Sequence, residues 1–216
     1  MPSNSQARYA IATVTAVGKD LALTLREKLG KEIPIYTTPR LADDRVIAIE
    51  GRVIEALGQL FQEVDVLICI MAIGAVVRAI APVLKDKATD PAVVVMDEKA
   101  TNVISLLSGH LGGANQVTLD IAELLGSNPV ITTATDVQNV TALDNLAQSV
   151  NGWRPELREF IKPFNSYLGS GRTVYFYQEK DWVTDLRGLT LVDEEKLAAV
   201  LKGTEPLILL TAEKKD

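Results

Sequence analysis

The stretch Asp65-Val-Leu-Ile-Cys-Ile-Met-Ala72 is apolar after its first residue and does not alternate. A strand with one wet face would alternate apolar and polar residues, so an unbroken run of this kind is expected of a central parallel strand covered on both faces. At about half the length needed to cross a bilayer, it reads as a buried strand. Strand-like and helix-like segments alternate around it, the pattern of βα units on a mostly parallel sheet. Strands are expected at Tyr9 to Val14, Ile33 to Thr37, Val46 to Ile49, Pro91 to Met96, Val103 to Leu107 and Pro129 to Thr132. Helices are expected at Lys19 to Leu29, Gly51 to Phe61, Ala75 to Ala81 and Gly112 to Leu125. Gly30 and Gly126 stand where helices stop, and Gly18 and Gly74 where strands turn into helices. Asp97-Glu-Lys99 predicts a tight turn between two strands, so the sheet is expected to be mixed.

The texture changes after Asp136. Both tryptophans and most aromatics lie from Trp153 onward, in a shorter α/β series that includes Leu143 to Val150, Pro155 to Leu168, Thr173 to Tyr177, Glu194 to Leu201 and Pro206 to Leu210. The expected architecture is an open, mostly parallel, Rossmann-like sheet over residues 1–137, followed by a smaller α/β domain over residues 138–216.

Composition excludes several classes of function. The chain has 216 residues, 47% hydrophobic and 23% charged, near the globular average. A net charge of -6 without a Lys/Arg block argues against nucleic acid. Met-Pro-Ser-Asn-Ser-Gln-Ala-Arg at the start has no apolar export core, so a cytoplasmic protein with no membrane segment is expected. Cys69 is the lone cysteine, set in the central strand. It has no disulfide partner in the chain and no companion ligand for a metal.

Chemistry concentrates in Ser105-Leu-Leu-Ser-Gly-His-Leu-Gly-Gly-Ala-Asn115, which holds the only histidine of the chain. Glycines cluster where backbone must approach a ligand or adopt positive φ, and histidine titrates nearest neutrality. Ser108, Gly109 and His110 should form a strand-to-helix corner. Gly112 and Gly113 should open a helix whose free N–H groups would face a carboxylate or a developing oxyanion, with His110 as general acid or base. The alternative is a hydroxyl and an imidazole that cap a helix start. The spacing is neither that of a Gly-x-Ser-x-Gly elbow, nor of a dinucleotide fingerprint, nor of a P-loop.

Further candidates surround this corner. Arg78 interrupts an apolar helix beside Gly74 at a strand end and is suited to carboxylate recognition. Lys85 belongs to a local basic cluster whose alternative is simple solvation. Thr132, Thr133 and Thr135 would line the same crevice if their strand runs parallel to that of Ile68 to Met71. Asp136 would orient an imidazole or activate water, or else form an Asx-turn or cap.

These residues also carry a resemblance. Met71-Ala-x-Gly74-x-Val-Val-Arg78-x-Ile-Ala-Pro82, Lys85-Asp-Lys-x-x-Asp90-Pro-Ala-Val-Val-Val95, Ser108-Gly-His-x-Gly-Gly-Ala-Asn115 and Pro129-Val-Ile-Thr-Thr-Ala-Thr-Asp136 are similar to the CbiG-type cobalt-precorrin-5A hydrolases of anaerobic cobalamin biosynthesis. The likeness is close from about Val64 to Asp136 and looser outside. It implies a hydrolase that opens the δ-lactone of a cobalt corrin precursor and releases acetaldehyde, giving cobalt-precorrin-5B. It further implies a corrinoid substrate that brings its own cobalt, so that no cofactor or protein metal is needed. His110, Ser108 and Asp136 would be catalytic. Gly74, Arg78, Lys85, Gly109, Gly112, Gly113, Asn115, Thr132, Thr133 and Thr135 would bind substrate. Family members usually carry a further C-terminal region with its own glycine-rich signature, and some are fused to a corrin-ring methyltransferase. Such a region, fused or separate, is an expected partner. A homodimer is compatible with the sequence, and so is a chain that only binds the corrinoid.

Overall fold

In the computed structural model, residues 7–86, 89–110, 112–133, 138–152 and 154–212 are described. The chain packs into two compact units that part between Ile131 and Thr132.

The first unit is built on a seven-stranded sheet. Its strands are β1 (Tyr9–Thr13), β2 (Ile35–Thr37), β3 (Ile47–Ala48), β4 (Val66–Ile70), β5 (Ala92–Met96), β6 (Asn102–Leu107) and β7 (Asn128–Val130). Their order across the sheet is β3-β2-β1-β4-β5-β6-β7. The first five are parallel. β6 turns back antiparallel to β5, and β7 pairs parallel to β6. Helices α1 (Ala16–Leu29), α2 (Val53–Glu63), α3 (Ile73–Ile80) and α4 (Ala114–Leu125) cover the faces.

Every residue of β4 and β5 is buried, because both faces are covered. Ile68, Ile70, Val94 and Met96 join Ala22 and Leu25 of α1 and Ile121 of α4 on one side. Leu67, Cys69, Val93 and Val95 join Leu57, Phe61 and Val76 from α2 and α3 on the other. Burial pushes the Cys69 thiol up to about 12, which leaves it protonated and unreactive in the folded chain.

The reversal at β6 has a local cause. Asp97 accepts N–H bonds from Lys99, Thr101 and Asn102, and Ala100 takes a left-handed φ of 54°. So short a link returns the chain only as a hairpin, since a parallel return needs a crossover of a dozen residues or more. The expected tight turn at Asp97-Glu-Lys99 is therefore present, and the sheet is mixed.

Three local expectations are corrected. Gly18 does not turn the chain: Thr15 caps α1 by accepting the Gly18 N–H at 3.1 Å. Gly18 lies in the first turn, where a Cβ would collide with the Thr13 hydroxyl. Gly74 likewise falls inside the first turn of α3. The third concerns Thr132 and Thr133, whose strand was expected to run with β4. β7 follows the direction of β6, so it runs against β4 and leads to Thr132 from the opposite edge of the sheet. Thr135 and Asp136 lie outside the described residues.

The second unit has a three-stranded parallel sheet ordered β10-β8-β9. It comprises β8 (Tyr175–Gln178), β9 (Thr190–Leu191) and β10 (Leu207–Leu210), with helices α5 (Leu143–Ser149), α6 (Arg158–Gly169) and α7 (Glu194–Val200). Leu146, Phe176 and Val183 form its core, with Ile208 and Leu210 packed against them. β9 has no sequence counterpart in the expected elements, because two exposed residues leave no periodic signal.

Candidate active site

The glycine-rich turn follows β6, and the sheet fixes where that puts it. Leu107 is registered with Val93 at the amino end of β5. The turn therefore sits at the edge where β1, β4 and β5 begin, outside the carboxyl end of β6. A register shift between Val93 and Val94 passes from Leu107 to Ser105, so Leu106 is the extra residue of a β-bulge one step before the turn. Bulges re-aim the chain in this way beside functional sites.

The turn is held from several sides. Ser108 adopts φ 56°, a left-handed conformation uncommon for a residue with a Cβ, and its hydroxyl donates to the Asp90 carbonyl at 2.9 Å. Both Asp90 carboxylate oxygens accept the Lys85 N–H, at 3.1 and 3.2 Å. Asn115 is buried and accepts the Ser105 hydroxyl at 2.6 Å. A Cβ on Gly109 would stand 2.6 Å from the Asn115 oxygen, and one on Gly112 would stand 2.5 Å from the Ser108 Cβ. These two glycines are required by close approach. Gly113 is required by its φ of 84°.

The start of α4 differs from expectation. Gly113 donates its N–H to the His110 carbonyl, Ala114 to Ser108 and Asn115 to Gly109, at 3.0, 3.2 and 3.0 Å. These N–H groups close the turn on itself and are not open to an anion. What remains at this helix end is its positive dipole and the half-buried His110, which has an interaction partner of its own.

The structure separates the other candidates. Lys85 precedes β5 and shares the turn's edge through Asp90. Gly74 follows β4 at its carboxyl end, so the five-residue length of β4, about 16 Å of strand, divides it from the turn. The Arg78 guanidinium folds back onto the Gly74 carbonyl at 3.0 Å and stays with that far edge. Asp90, by contrast, is a member of the site that residue types alone did not single out. It reads as one charge in a mixed cluster, and the only signal for it is its place just ahead of Pro91 and β5. Among the described residues no group of three or more His, Cys, Asp or Glu side chains is placed to hold a metal ion. None of the helices among them is long and apolar enough to cross a membrane.

The fold and site define an open, mixed, Rossmann-like α/β protein that mounts the sole histidine of its sequence on a glycine-rich turn beyond the carboxyl end of an antiparallel strand. Residues 55–136 match the model of the family described as cobalamin synthesis G N-terminal. Over 179 residues, 80% of this chain, it is 40% identical to a cobalt-precorrin-5A hydrolase of Salmonella typhimurium, of which 51% is covered. It is 38% identical over 189 residues, 84% of the chain, to a cobalt-precorrin-5A hydrolase of Priestia megaterium, of which 50% is covered. The chain thus spans about half the length of the curated relatives it matches. Among solved structures, a cobalamin biosynthesis protein G homolog from Sulfolobus solfataricus superposes with a TM-score of 0.54 at 21% identity. That alignment covers 94% of this chain and 59% of the other, a likeness of fold.

Proposed function

We propose that this chain takes part in the hydrolysis of cobalt-precorrin-5A, opening its δ-lactone with release of acetaldehyde to form cobalt-precorrin-5B. The observation that carries this is the turn from Ser108 to Asn115. The sole histidine of the sequence is mounted there on backbone locked by Asp90, Ser105 and two sterically obligatory glycines. The similarity to hydrolases of that name supplies the substrate.

In this reading His110 takes a proton from water as the oxygen adds to the lactone carbonyl, and returns it to the ring oxygen as the acyl–oxygen bond breaks. The product carries a carboxylate and a free hydroxyl. Loss of the hydroxyl proton and cleavage of the adjoining carbon–carbon bond then release the two-carbon fragment as acetaldehyde, with the bonding pair passing to the macrocycle. The positive end of α4 favours the oxyanion. Ser108, whose hydroxyl is engaged by Asp90, positions the turn and is not a nucleophile. Asp136 is proposed to orient the imidazole or activate water, and Thr132, Thr133 and Thr135 to bind the substrate, which brings its own cobalt, so no resident metal or cofactor is invoked.

Incubation with cobalt-precorrin-5A and an assay for acetaldehyde test this. His110→Ala is expected to lower the rate by about 100-fold or more, and full activity in that variant would remove the acid–base role. The half-length match to the relatives favours a second reading, in which this chain holds the corrinoid while a further region completes the chemistry. Tight binding without acetaldehyde would select it. The proposed partner is then that region, fused or separate.

A further inference from the structure

The edge that carries the glycine-rich turn also carries a cavity. It opens between the start of β1, the segment entering β2 and the end of α2, and has a volume of about 750 Å3, within the range of small-molecule sites. Pro34, Tyr36, Leu60 and Val64 supply its apolar wall. Two cations stand at its rim. Lys31 Nζ lies 4.3 Å from the centre of the Tyr9 ring and makes no ion pair among the described residues. Arg8 is held by Asp65 through Nε and Nη2, at 3.4 and 3.1 Å, which leaves the rest of its guanidinium fork facing outward, two-thirds exposed. β4 and β5 separate β1 from β6, so the cavity and the turn lie about three strand spacings apart, near 14 Å, along one edge.

We propose that this cavity is a second binding locus for a flat, conjugated ring ligand with carboxylates at its periphery, which reaches along the amino edge from Tyr9 to His110. The inference rests on the corrinoid reading of the turn. Tyrosine walls offer stacking surface to a planar π-system. Lys31, held only by a ring face, moves to a carboxylate with little lost, and Arg8 supplies a charge-assisted donor beside it. Glu32 and Glu63 also line the cavity, so an acidic ligand edge is held only where Lys31 and Arg8 outweigh their repulsion.

Cobyrinic acid, a cobalt corrin whose side chains are carboxylates, serves as probe, with binding followed by its visible spectrum. The full chain is compared with Lys31→Ala, Lys31→Arg and Tyr36→Leu, each checked for an unchanged circular dichroism spectrum. Lys31→Ala and Tyr36→Leu are each expected to raise Kd by about tenfold, with Lys31→Arg close to wild type. Failure of the wild type to bind, or binding by Lys31→Ala and Tyr36→Leu within about twofold of it, overturns the proposal. Acetaldehyde release with an unchanged KM in Lys31→Ala would discard the cavity and keep the functional reading. Lys31-dependent binding without acetaldehyde would keep the cavity and discard the catalytic reading.

Discussion

Gly112 and Gly113 are neighbours required for different physical reasons, and substitution separates them. A Cβ at Gly112 meets the Ser108 Cβ at 2.5 Å and the Ser108 carbonyl at 2.9 Å, both on backbone that cannot swing aside. Gly112→Ala is expected to cost about 1–3 kcal/mol, as overpacking does, and to displace His110. At Gly113 nothing lies within 4 Å of the added carbon, but φ is 84°, so Gly113→Ala should cost only about 1 kcal/mol of backbone strain. Urea denaturation midpoints check the pair, and equal costs would contradict the geometry. The cluster of glycines was legible in the sequence as a demand for close approach. Which glycine answers to sterics and which to φ was not, because that depends on where Ser108 and Asn115 fold back against them. The same folding engages the N–H groups that sequence reasoning leaves free at the start of α4.

The β5–β6 hairpin is the element that decides where the site lies. Its turn depends on Asp97. Partial burial alone would raise that carboxyl, but the N–H groups of Asn102, Thr101 and Lys99 outweigh it and hold the group below its ordinary range. A carboxyl depressed in the folded state contributes stability above the unfolded value near pH 4, and that contribution disappears as pH falls through the lower folded value. Asp97 is exposed, so solvent screening discounts the effect, and Asp97→Ala should lower stability by about 0.5–1.5 kcal/mol near neutrality and flatten the acid limb of the stability profile. Urea midpoints taken at neutral and at acid pH test this, and an acid limb as steep as in the wild type would count against it. The hairpin itself was legible, since Asp-Glu-Lys between two apolar runs leaves no room for a crossover. The direction of β7 was not. Pro129-Val-Ile131 is apolar whichever way it runs, and only its pairing with the reversed β6 places Thr132 and Thr133 beyond the edge opposite Gly74.

At the scale of the molecule, both core clusters of the first unit draw only on residues between Tyr9 and Leu125, and the core of the second lies between Leu146 and Leu210. A chain ending at Ile131 is accordingly expected to retain a cooperative thermal transition, since it loses none of the side chains that bury β4 and β5. A melt followed by far-ultraviolet circular dichroism checks this, and a broad, non-cooperative change would show that the first unit depends on the second. The strand order carries its own logic. β1, β4 and β5 hold the centre with five residues each, while the edges are taken by β3 with two and β7 with three, short edges being poor templates for further pairing.

The alternation of apolar strands with amphipathic helices and the turn residues between them by themselves determined the α/β class, the buried central strand at Val66–Ile70, the helix stops at Gly30 and Gly126, the hairpin after Met96, and the glycine-rich turn around His110 as the candidate place for chemistry. Those are properties of local periodicity, turn residues and covalent spacing, which neighbouring positions encode directly. Only the tertiary structure decided which candidates share an edge. Reversal of one strand carries His110 to the amino ends of the parallel strands, where Lys85 and Asp90 lead into β5, and leaves Gly74 and Arg78 a full strand length away. The strand runs themselves look the same in either direction, and polarity across a sheet is a sum over pairings that no single segment contains.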